Sequence, residues 1–148
     1  MSGLGSGVAS AIAVAEALAE AKSRQDVQAA MAIYHPDAVL ESPSLGTRYV
    51  GAQIESAIEG WFAFAPDYRV RLDGRGWDDG TLCCWGSIVF TPAFTFSGAI
   101  PNGERVEVPV FILFGFDDGR VAWESFHFDV AAAARQCGVG VDALVGAS

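Results

Sequence analysis

Residues that could move protons are concentrated in the last apolar segment of the chain, over residues 121–129. Four side chains there are spaced two apart, so on a β-strand they share one face: Trp123, Ser125, His127 and Asp129. A hydroxyl, an imidazole and a carboxylate in one line are groups that general acid/base catalysis uses. Apolar surroundings also favour the protonated form of a carboxyl group. We therefore predict that Asp129 is the catalytic acid/base, with His127 as its partner or as a donor to the substrate.

The same residues also fit structural roles. Asp129 precedes a predicted helix that starts at Val130, and aspartate is a preferred N-cap residue. His127 fits equally well as a half-buried histidine that bonds a neighbouring carbonyl group. Aromatic side chains are more often core than ligand-binding. Several are nevertheless candidates for the wall of a pocket, together with Ser125: Tyr34, Tyr49, Trp61, Trp85, Phe94 and Trp123.

The elements that position these residues follow from hydrophobic periodicity, which is helical in the first half of the chain and strand-like in the second. Helices are expected over residues 8–22, about 26–34, 52–65 and 130–137. From residue 66 onward the pattern predicts strands, with a hairpin turn at Asp118-Gly119. This order predicts an α+β domain with N-terminal helices packed across a curved antiparallel sheet. The result is a cone whose single deep pocket is the default ligand site.

Composition limits the classes of protein that remain. A chain of 148 residues fits one domain, predicted over residues 8–139 between a flexible tail (1–7) and a C-terminal tail (140–148). The hydrophobic fraction of 51% and the charged fraction of 18% are far from those of disordered chains. A net charge of −9 repels phosphate groups, so nucleic acid and membrane surfaces are not expected partners.

Cysteine and histidine usage predicts neither a metal site nor disulfides. Cys83, Cys84 and Cys137 form no Cys-x-x-Cys pair, and the chain has two histidines in total, so we expect buried thiols in a reducing cytoplasm. The uncharged segment 80–103 contains proline and glycine breaks that exclude a membrane helix. No phosphate-binding or dinucleotide motif is present, so no cofactor is expected.

Several runs of sequence resemble the SnoaL-like polyketide cyclase family of the nuclear transport factor 2-like superfamily. They are His-Pro-Asp-Ala-Val-Leu-Glu-Ser-Pro-Ser at 35–44, Phe-Ala-Pro-Asp at 64–67, Asp-Gly-Arg-Val-Ala-Trp-Glu at 118–124 and Arg-Gln-Cys-Gly at 135–138. The resemblance covers nearly all of residues 8–139 and implies the cone-shaped, cystatin-like roll described above.

The resemblance also carries expectations about chemistry. The aspartate that opens the last helix is the acid/base of an intramolecular aldol closure in that family, and it matches Asp129. Where many relatives have a histidine, residues 86–97 have none and hold Phe90, Phe94 and Phe96. That departure implies a more apolar ligand. The positions that serve catalysis in ketosteroid isomerases hold other residues here, which disfavours that reaction.

These observations predict a small enzyme that works by acid/base catalysis on an apolar, carbonyl-bearing substrate, of the cyclase or aldol type or a related lyase or isomerase. The alternatives are a non-catalytic module of the same fold that binds a hydrophobic ligand or a protein, and an activity like that of epoxide hydrolases. A homodimer is also expected, formed through a convex sheet face with the apolar residues Ile112, Phe114, Phe126 and Phe128.

Overall fold

The computed structural model describes residues 3–145 and confirms the α+β class. Its helices are α1 (Gly3–Ser23), α2 (Val27–Ile33), α3 (Gln53–Phe64) and α4 (Val130–Cys137), followed by a short 3-10 helix (Val141–Ala143). Its strands are β1 (Tyr34–Ser42), β2 (Thr47–Val50), β3 (Arg69–Asp78), β4 (Thr81–Phe90), β5 (Val106–Asp117) and β6 (Arg120–Phe128). The predicted order of helices followed by a strand meander therefore holds, with β1 and β2 inserted between α2 and α3.

The six strands form one curved, open sheet in the order β2-β1-β6-β5-β4-β3. Neighbouring strands are antiparallel except for β1 and β6, which are parallel, so the sheet is mixed rather than wholly antiparallel. Parallel neighbours need a long connection between them, and here β2 to β5 supply it. This pairing places the N-terminal strand beside the last strand of the chain.

Strand alternation divides the sheet into a concave face under the helices and an outer face. On β5 every second residue is buried, from Val106 to Phe114. Phe126 on β6 is in register with Ile112 on β5. The expectation that Ile112, Phe114 and Phe126 form an exposed convex face is therefore wrong, because they build the core against the helices. Phe128, the fourth residue expected there, lines the cavity described below.

The helices pack on the concave face through residues at helical spacing. Ala11, Ala15 and Leu18 of α1 are buried, as are Ile54 and Ile58 of α3. Small residues on α1 let this helix lie close to the sheet, next to β3. α3 lies farther along and carries larger side chains that close over the remaining part of the sheet.

Local turn chemistry fixes the connections between strands and the end of α4. Asp118 and Gly119 have φ angles of 54° and 74°, the left-handed values that a two-residue hairpin turn requires. Asp79 and Gly80 make the same kind of connection between β3 and β4. Helix α4 ends at Gly138 in the left-handed region, as predicted.

Both predicted tails contain ordered structure in the part that the structure describes. Helix α1 already begins at Gly3, and residues 1–2 of the expected flexible tail lie outside the described range. At the other end, Ala143 and Leu144 are buried against the core. Residues 146–148 lie outside the described range. Within residues 3–145, no helix is long and apolar enough to cross a membrane.

The three thiols are free, and two of them are buried in the core. Burial, followed by the charge of the neighbouring Cys83, raises the pKa of the Cys84 thiol to about 11. Burial also raises the pKa of Cys137. Because the thiolate is the reactive form of cysteine, Cys84 and Cys137 have the properties of structural residues.

Candidate functional site

An aromatic cavity of about 600 Å³ lies between the concave face of the sheet and α3. Most of its wall comes from α3 and the β1–β2 hairpin, and a few residues of β4, β6 and neighbouring segments supply the rest. The aromatic side chains that line it are Tyr49, Trp61, Phe62, Phe64, Tyr68, Phe90, Phe96, Phe126 and Phe128. Ring planes offer a large apolar area that can follow the outline of a flat ligand. A cavity of this volume is large enough for a small organic molecule.

The aromatic wall is held together by ring-to-ring packing around Trp61. Its ring centroid lies 5.2 Å from that of Phe64 and 5.4 Å from that of Phe90. Phe96, from the loop after β4, stacks on Phe64 at 5.7 Å. It lines the cavity while remaining half exposed. Leu144 from the C-terminal segment completes the lining, so a segment predicted to be a tail is part of the site.

At one end of the cavity lies a buried ion pair between Lys22 and Glu124. Lys22 Nζ is 3.2 Å from each carboxylate oxygen of Glu124, and the two side chains are 11% and 1% exposed. Lys22 is the only lysine of the chain. It lies in the last turn of α1, where a cation also interacts favourably with the helix dipole. Lys22 lines the cavity, whereas Glu124 borders only a smaller void of about 10 Å³ beside it.

Tyr34, which does not line the cavity, supports the carboxylate of Glu124. Its hydroxyl donates a hydrogen bond to Glu124 Oε1. Its ring centroid lies 5.5 Å from Lys22 Nζ, which is within cation–π range. Burial, and after it the negative charge of Glu124, raise the pKa of Tyr34 well above 10. Tyr34 therefore stays protonated and keeps Glu124 in a fixed orientation behind Lys22.

Tyr68 has a hydroxyl group that is free to bind a ligand. The residue is 2% exposed and lines both the cavity and the smaller void. Among the hydrogen bonds of residues 3–145, none involves this hydroxyl. No fully buried side-chain polar atom in that range lacks a partner, so the hydroxyl retains contact with a void. Burial, then the charge of Glu124, raise the pKa of Tyr68 well above 10, which keeps it a hydrogen-bond donor.

The structure places Asp129 outside the cavity. The residue is exposed, and its Oδ1 accepts a hydrogen bond of 2.9 Å from the Ala132 backbone N–H, so it is the N-cap of α4. His127 lies on the outer face, where its Nε2 is 2.7 Å from Ser125 Oγ. The two residues predicted to be catalytic are therefore not among those that line the cavity.

Of the predicted wall residues, Tyr49 and Trp61 lie in the cavity lining. Ser125 and Trp123 belong to the outer face with His127, and Trp123 Nε1 donates to Glu41 at 3.0 Å. Trp85 is on that face as well, 40% exposed, with its indole directly over Gly74. Two further residues take other positions: Tyr34 lies behind Glu124, and Phe94 packs on Phe64 and Phe96 at the edge of the loop.

The reason for the difference is the direction in which β6 faces. Glu124, Phe126 and Phe128 point inward, and Trp123, Ser125 and His127 point outward, whereas Val121, beyond an irregularity in the register, is part of the core. An unpaired charge is expensive to bury. Glu124 alone therefore predicts that the even-numbered residues of β6 face outward, towards solvent. Lys22 removes that cost by pairing with it. The available signal is on α1, where Ala11, Ala15, Leu18 and Lys22 fall on one helical face.

We expect Asp129→Ala to lower the free energy of unfolding by about 1 kcal/mol, because the carboxylate caps α4. Asp26 caps α2 through the same bond to the third residue after it, the Ala29 backbone N–H, at 3.0 Å. Asp26→Ala is therefore the matched control and should show a similar loss. Urea denaturation of both variants measures the effect. A loss at Asp129 several times that at Asp26 would contradict a capping role alone.

The sequence belongs to the SnoaL-like domain family, whose model matches residues 15–124 of the 148-residue chain. Comparison with curated proteins gives no match. Comparison with solved structures confirms the fold, which recurs in proteins described as ketosteroid isomerase-like and NTF2-like.

Three solved structures illustrate the similarity. A protein from Jannaschia sp. CCS1, provisionally described as a SnoaL-like polyketide cyclase, has a TM-score of 0.78 at 16% identity, over 89% of this chain and 94% of that one. A protein with a ketosteroid isomerase-like fold from Catenulispora acidiphila DSM 44928 has a TM-score of 0.77 at 13% identity, over 87% and 95%. An LEH-like epoxide hydrolase from M. tuberculosis has a TM-score of 0.71 at 22% identity, over 95% and 98%.

Proposed function

We propose that the protein is a small-molecule enzyme that performs acid/base chemistry next to the carbonyl group of an apolar substrate, with Lys22 and Tyr68 as its catalytic residues. The observation that carries this proposal is the buried Lys22–Glu124 pair, whose lysine lines a cavity with a largely aromatic and aliphatic wall. Buried charge pairs are weak sources of stability. A pair placed where a ligand can reach one of its members is therefore a candidate for chemistry.

A substrate carbonyl oxygen at this end of the cavity would meet two hydrogen-bond donors. The Lys22 ammonium group has three N–H bonds. It contacts the two carboxylate oxygen atoms of Glu124, which leaves a further N–H bond for a ligand. The Tyr68 hydroxyl has no partner among the described residues. Donors that are fixed before the reaction stabilise the negative charge that develops on oxygen when a neighbouring C–H proton leaves.

Proton transfer is the task of the Lys22–Glu124 pair as a unit. No carboxylate or imidazole is among the described residues that line the cavity. The group that reaches the substrate is therefore the Lys22 amine, and Glu124 is the acceptor behind it for the proton of the amine. Tyr34 and Glu124 are positioning residues in this scheme, because they act through Lys22. The chemistry is that of aldol-type ring closure, isomerisation or elimination next to a carbonyl group.

The proposal is tested with 2-tetralone, a flat bicyclic ketone, in deuterium oxide. We expect the protein to accelerate exchange of the protons next to the carbonyl group, as followed by proton NMR. Glu124→Gln should lower the exchange rate by about 10²-fold or more, within the usual range for loss of an acid/base group. Asp129→Asn, which preserves an N-capping oxygen, is the matched control and should leave the rate unchanged.

Two results would contradict the proposal. Loss of exchange in Asp129→Asn with normal exchange in Glu124→Gln would show that the catalytic acid/base is Asp129, which follows β6, and not the Lys22–Glu124 pair. Binding of 2-tetralone without any exchange in the wild-type protein would favour the alternative of a hydrophobic-ligand-binding module. The aromatic lining supports a ligand of this shape under either function.

We also propose a homodimer that pairs through the outer face of the sheet. Phe111 is 54% exposed and lies in register with Trp85 on one side and His127 on the other. Their side chains form an apolar surface across β4, β5 and β6. Apolar surface concentrated on one sheet face is typical of a protein–protein contact.

The free thiols fit a reducing compartment, and we propose the cytoplasm.

Phe111→Glu is expected to convert the dimer to a monomer, because it places a charge at the centre of that apolar surface. The exposed residue Ile100 lies on the loop after β4, so Ile100→Glu is a matched control that should remain dimeric. Sedimentation velocity at micromolar concentration distinguishes the two species. A wild-type monomer would contradict the dimer proposal.

A further inference from the structure

We propose that Lys22 is a nucleophile that forms an imine with the carbonyl carbon of an aromatic ketone or aldehyde bound in the cavity. The inference rests on the proposed function and deepens it, because it assigns a covalent step to the same site. Its basis is the position of Lys22, the only lysine of the chain. This residue is buried, lines the cavity and lies 3.2 Å from the carboxylate of Glu124.

The placement of the three polar groups suits attack by the amine. Lys22 borders the cavity, whereas Glu124 does not, so a ligand meets the nitrogen atom before it meets the carboxylate. Tyr68 borders the cavity next to Lys22 and can donate to the carbonyl oxygen, which makes the carbonyl carbon more electrophilic. The Tyr34 hydroxyl donates a hydrogen bond to Glu124 Oε1 and so helps to hold the carboxylate beside Lys22.

The amine must lose a proton before it can attack. Glu124 is the acceptor, since both of its oxygen atoms lie 3.2 Å from Lys22 Nζ. Transfer converts an ion pair into a neutral amine and a neutral carboxylic acid. Lysines in desolvated sites are known nucleophiles for carbonyl groups, and the side chains of Lys22 and Glu124 are 11% and 1% exposed.

The step balances without any further reactant. The nitrogen lone pair forms a bond to the carbonyl carbon, and the oxygen takes up a proton from that nitrogen, which gives a carbinolamine. Glu124 returns its proton to the nitrogen, which passes a proton on to the hydroxyl group, and this group leaves as water while the C=N bond forms. The product is an iminium ion, and the regenerated carboxylate balances its charge. Release reverses the sequence with one molecule of water.

An iminium ion makes the neighbouring C–H and C–C bonds much easier to break, because the electrons can move onto nitrogen. Lys22 would then favour aldol and retro-aldol reactions, decarboxylation of β-keto acids and proton exchange. The carbonyl compound enters as a free ketone or aldehyde and leaves as one. The substrate class is accordingly a flat aromatic carbonyl compound rather than an ester or an amide.

The test is reductive trapping of the wild-type protein with 2-tetralone and sodium cyanoborohydride near neutral pH. The reagent reduces an imine to a secondary amine that is stable in mass spectrometry. Because the sequence has one lysine, the competing amine is the terminal α-amino group of the protein under test, and peptide mapping separates the two. We expect the adduct on Lys22 to exceed that on the terminal amine by about tenfold or more, since the cavity holds the ketone against the Lys22 amine.

Lys22→Arg is the matched variant, because it keeps the positive charge beside Glu124 but has no amine that can be deprotonated. It should lose all labelling except that at the terminal amine. Circular dichroism checks its fold, and the wild-type peptide map decides the question even if the variant is unstable. An adduct on the terminal amine alone, while the wild-type protein still accelerates α-proton exchange, overturns the imine and leaves the proposed function standing. If the wild-type protein shows no α-proton exchange and no adduct on Lys22, both the imine and the proposed function are overturned.

Discussion

Lys22→Met should lower the free energy of unfolding by about 3–5 kcal/mol, the range expected when one partner of a buried ion pair is removed. Methionine fills a similar volume, so the loss reports the uncompensated charge of Glu124 rather than an empty space. Glu124 is 1% exposed and has no other cation beside it within the described residues. Urea denaturation of the wild-type and variant proteins measures the difference.

The double variant Lys22→Met with Glu124→Gln is the control for this prediction. A glutamine oxygen still accepts the hydrogen bond from Tyr34, and no charge remains, so most of the lost stability should return. The free energy of unfolding of Glu124→Gln alone is measured as well. If the loss in the double variant equals the sum of the losses in Lys22→Met and Glu124→Gln, the two side chains are not coupled in the way that the structure shows.

Tyr68→Phe should lower the rate of α-proton exchange in 2-tetralone by about 10²-fold, the usual effect of removing one donor to a developing oxyanion. Stability should stay level or rise, because the lost hydroxyl has no hydrogen-bond partner within residues 3–145. Burial holds the pKa of Tyr68 well above 10. The hydroxyl therefore donates throughout the neutral range, and the effect of the variant should not depend on pH there.

Tyr34→Phe makes the same chemical change at the neighbouring tyrosine and should give the opposite pattern in stability. The Tyr34 hydroxyl donates to a charged carboxylate, and hydrogen bonds to charged groups are worth about 1.5–3 kcal/mol. We therefore expect a clear loss of stability in urea denaturation. Equal stability losses in the two variants would contradict the view that one hydroxyl supports the carboxylate and the other is reserved for a ligand.

Sequence patterns predict the fold well because local signals dominate it. The Asp118-Gly119 turn and the capped helix between Asp129 and Gly138 are in the places that short-range chemistry requires. The parallel pairing of β1 with β6 is different. It joins residues far apart in the chain, such as Glu41 and Ser125, and no local pattern encodes which strands become neighbours.

The candidate site is harder to predict because a long-range charge pair decides it. Alternation along β6 shows correctly which residues share a face, but either face could be the inner one. The choice depends on Lys22, which is 102 positions from Glu124 in the chain. Without that partner, a buried Glu124 is the less favourable arrangement. The odd-numbered face, which carries His127 and Asp129, is then the more obvious candidate for a catalytic site, although it lies outside the cavity.

The most direct test of the central claim is a crystal structure of the protein with 2-tetralone. If the chemistry belongs to Lys22 and Tyr68, the bicyclic ring will lie against the aromatic wall near Trp61. The carbonyl oxygen will then lie about 3 Å from both Lys22 Nζ and Tyr68 Oη, the distance of a hydrogen bond. A ligand whose carbonyl group points away from Lys22, or one bound on the outer face beside His127, would contradict the account.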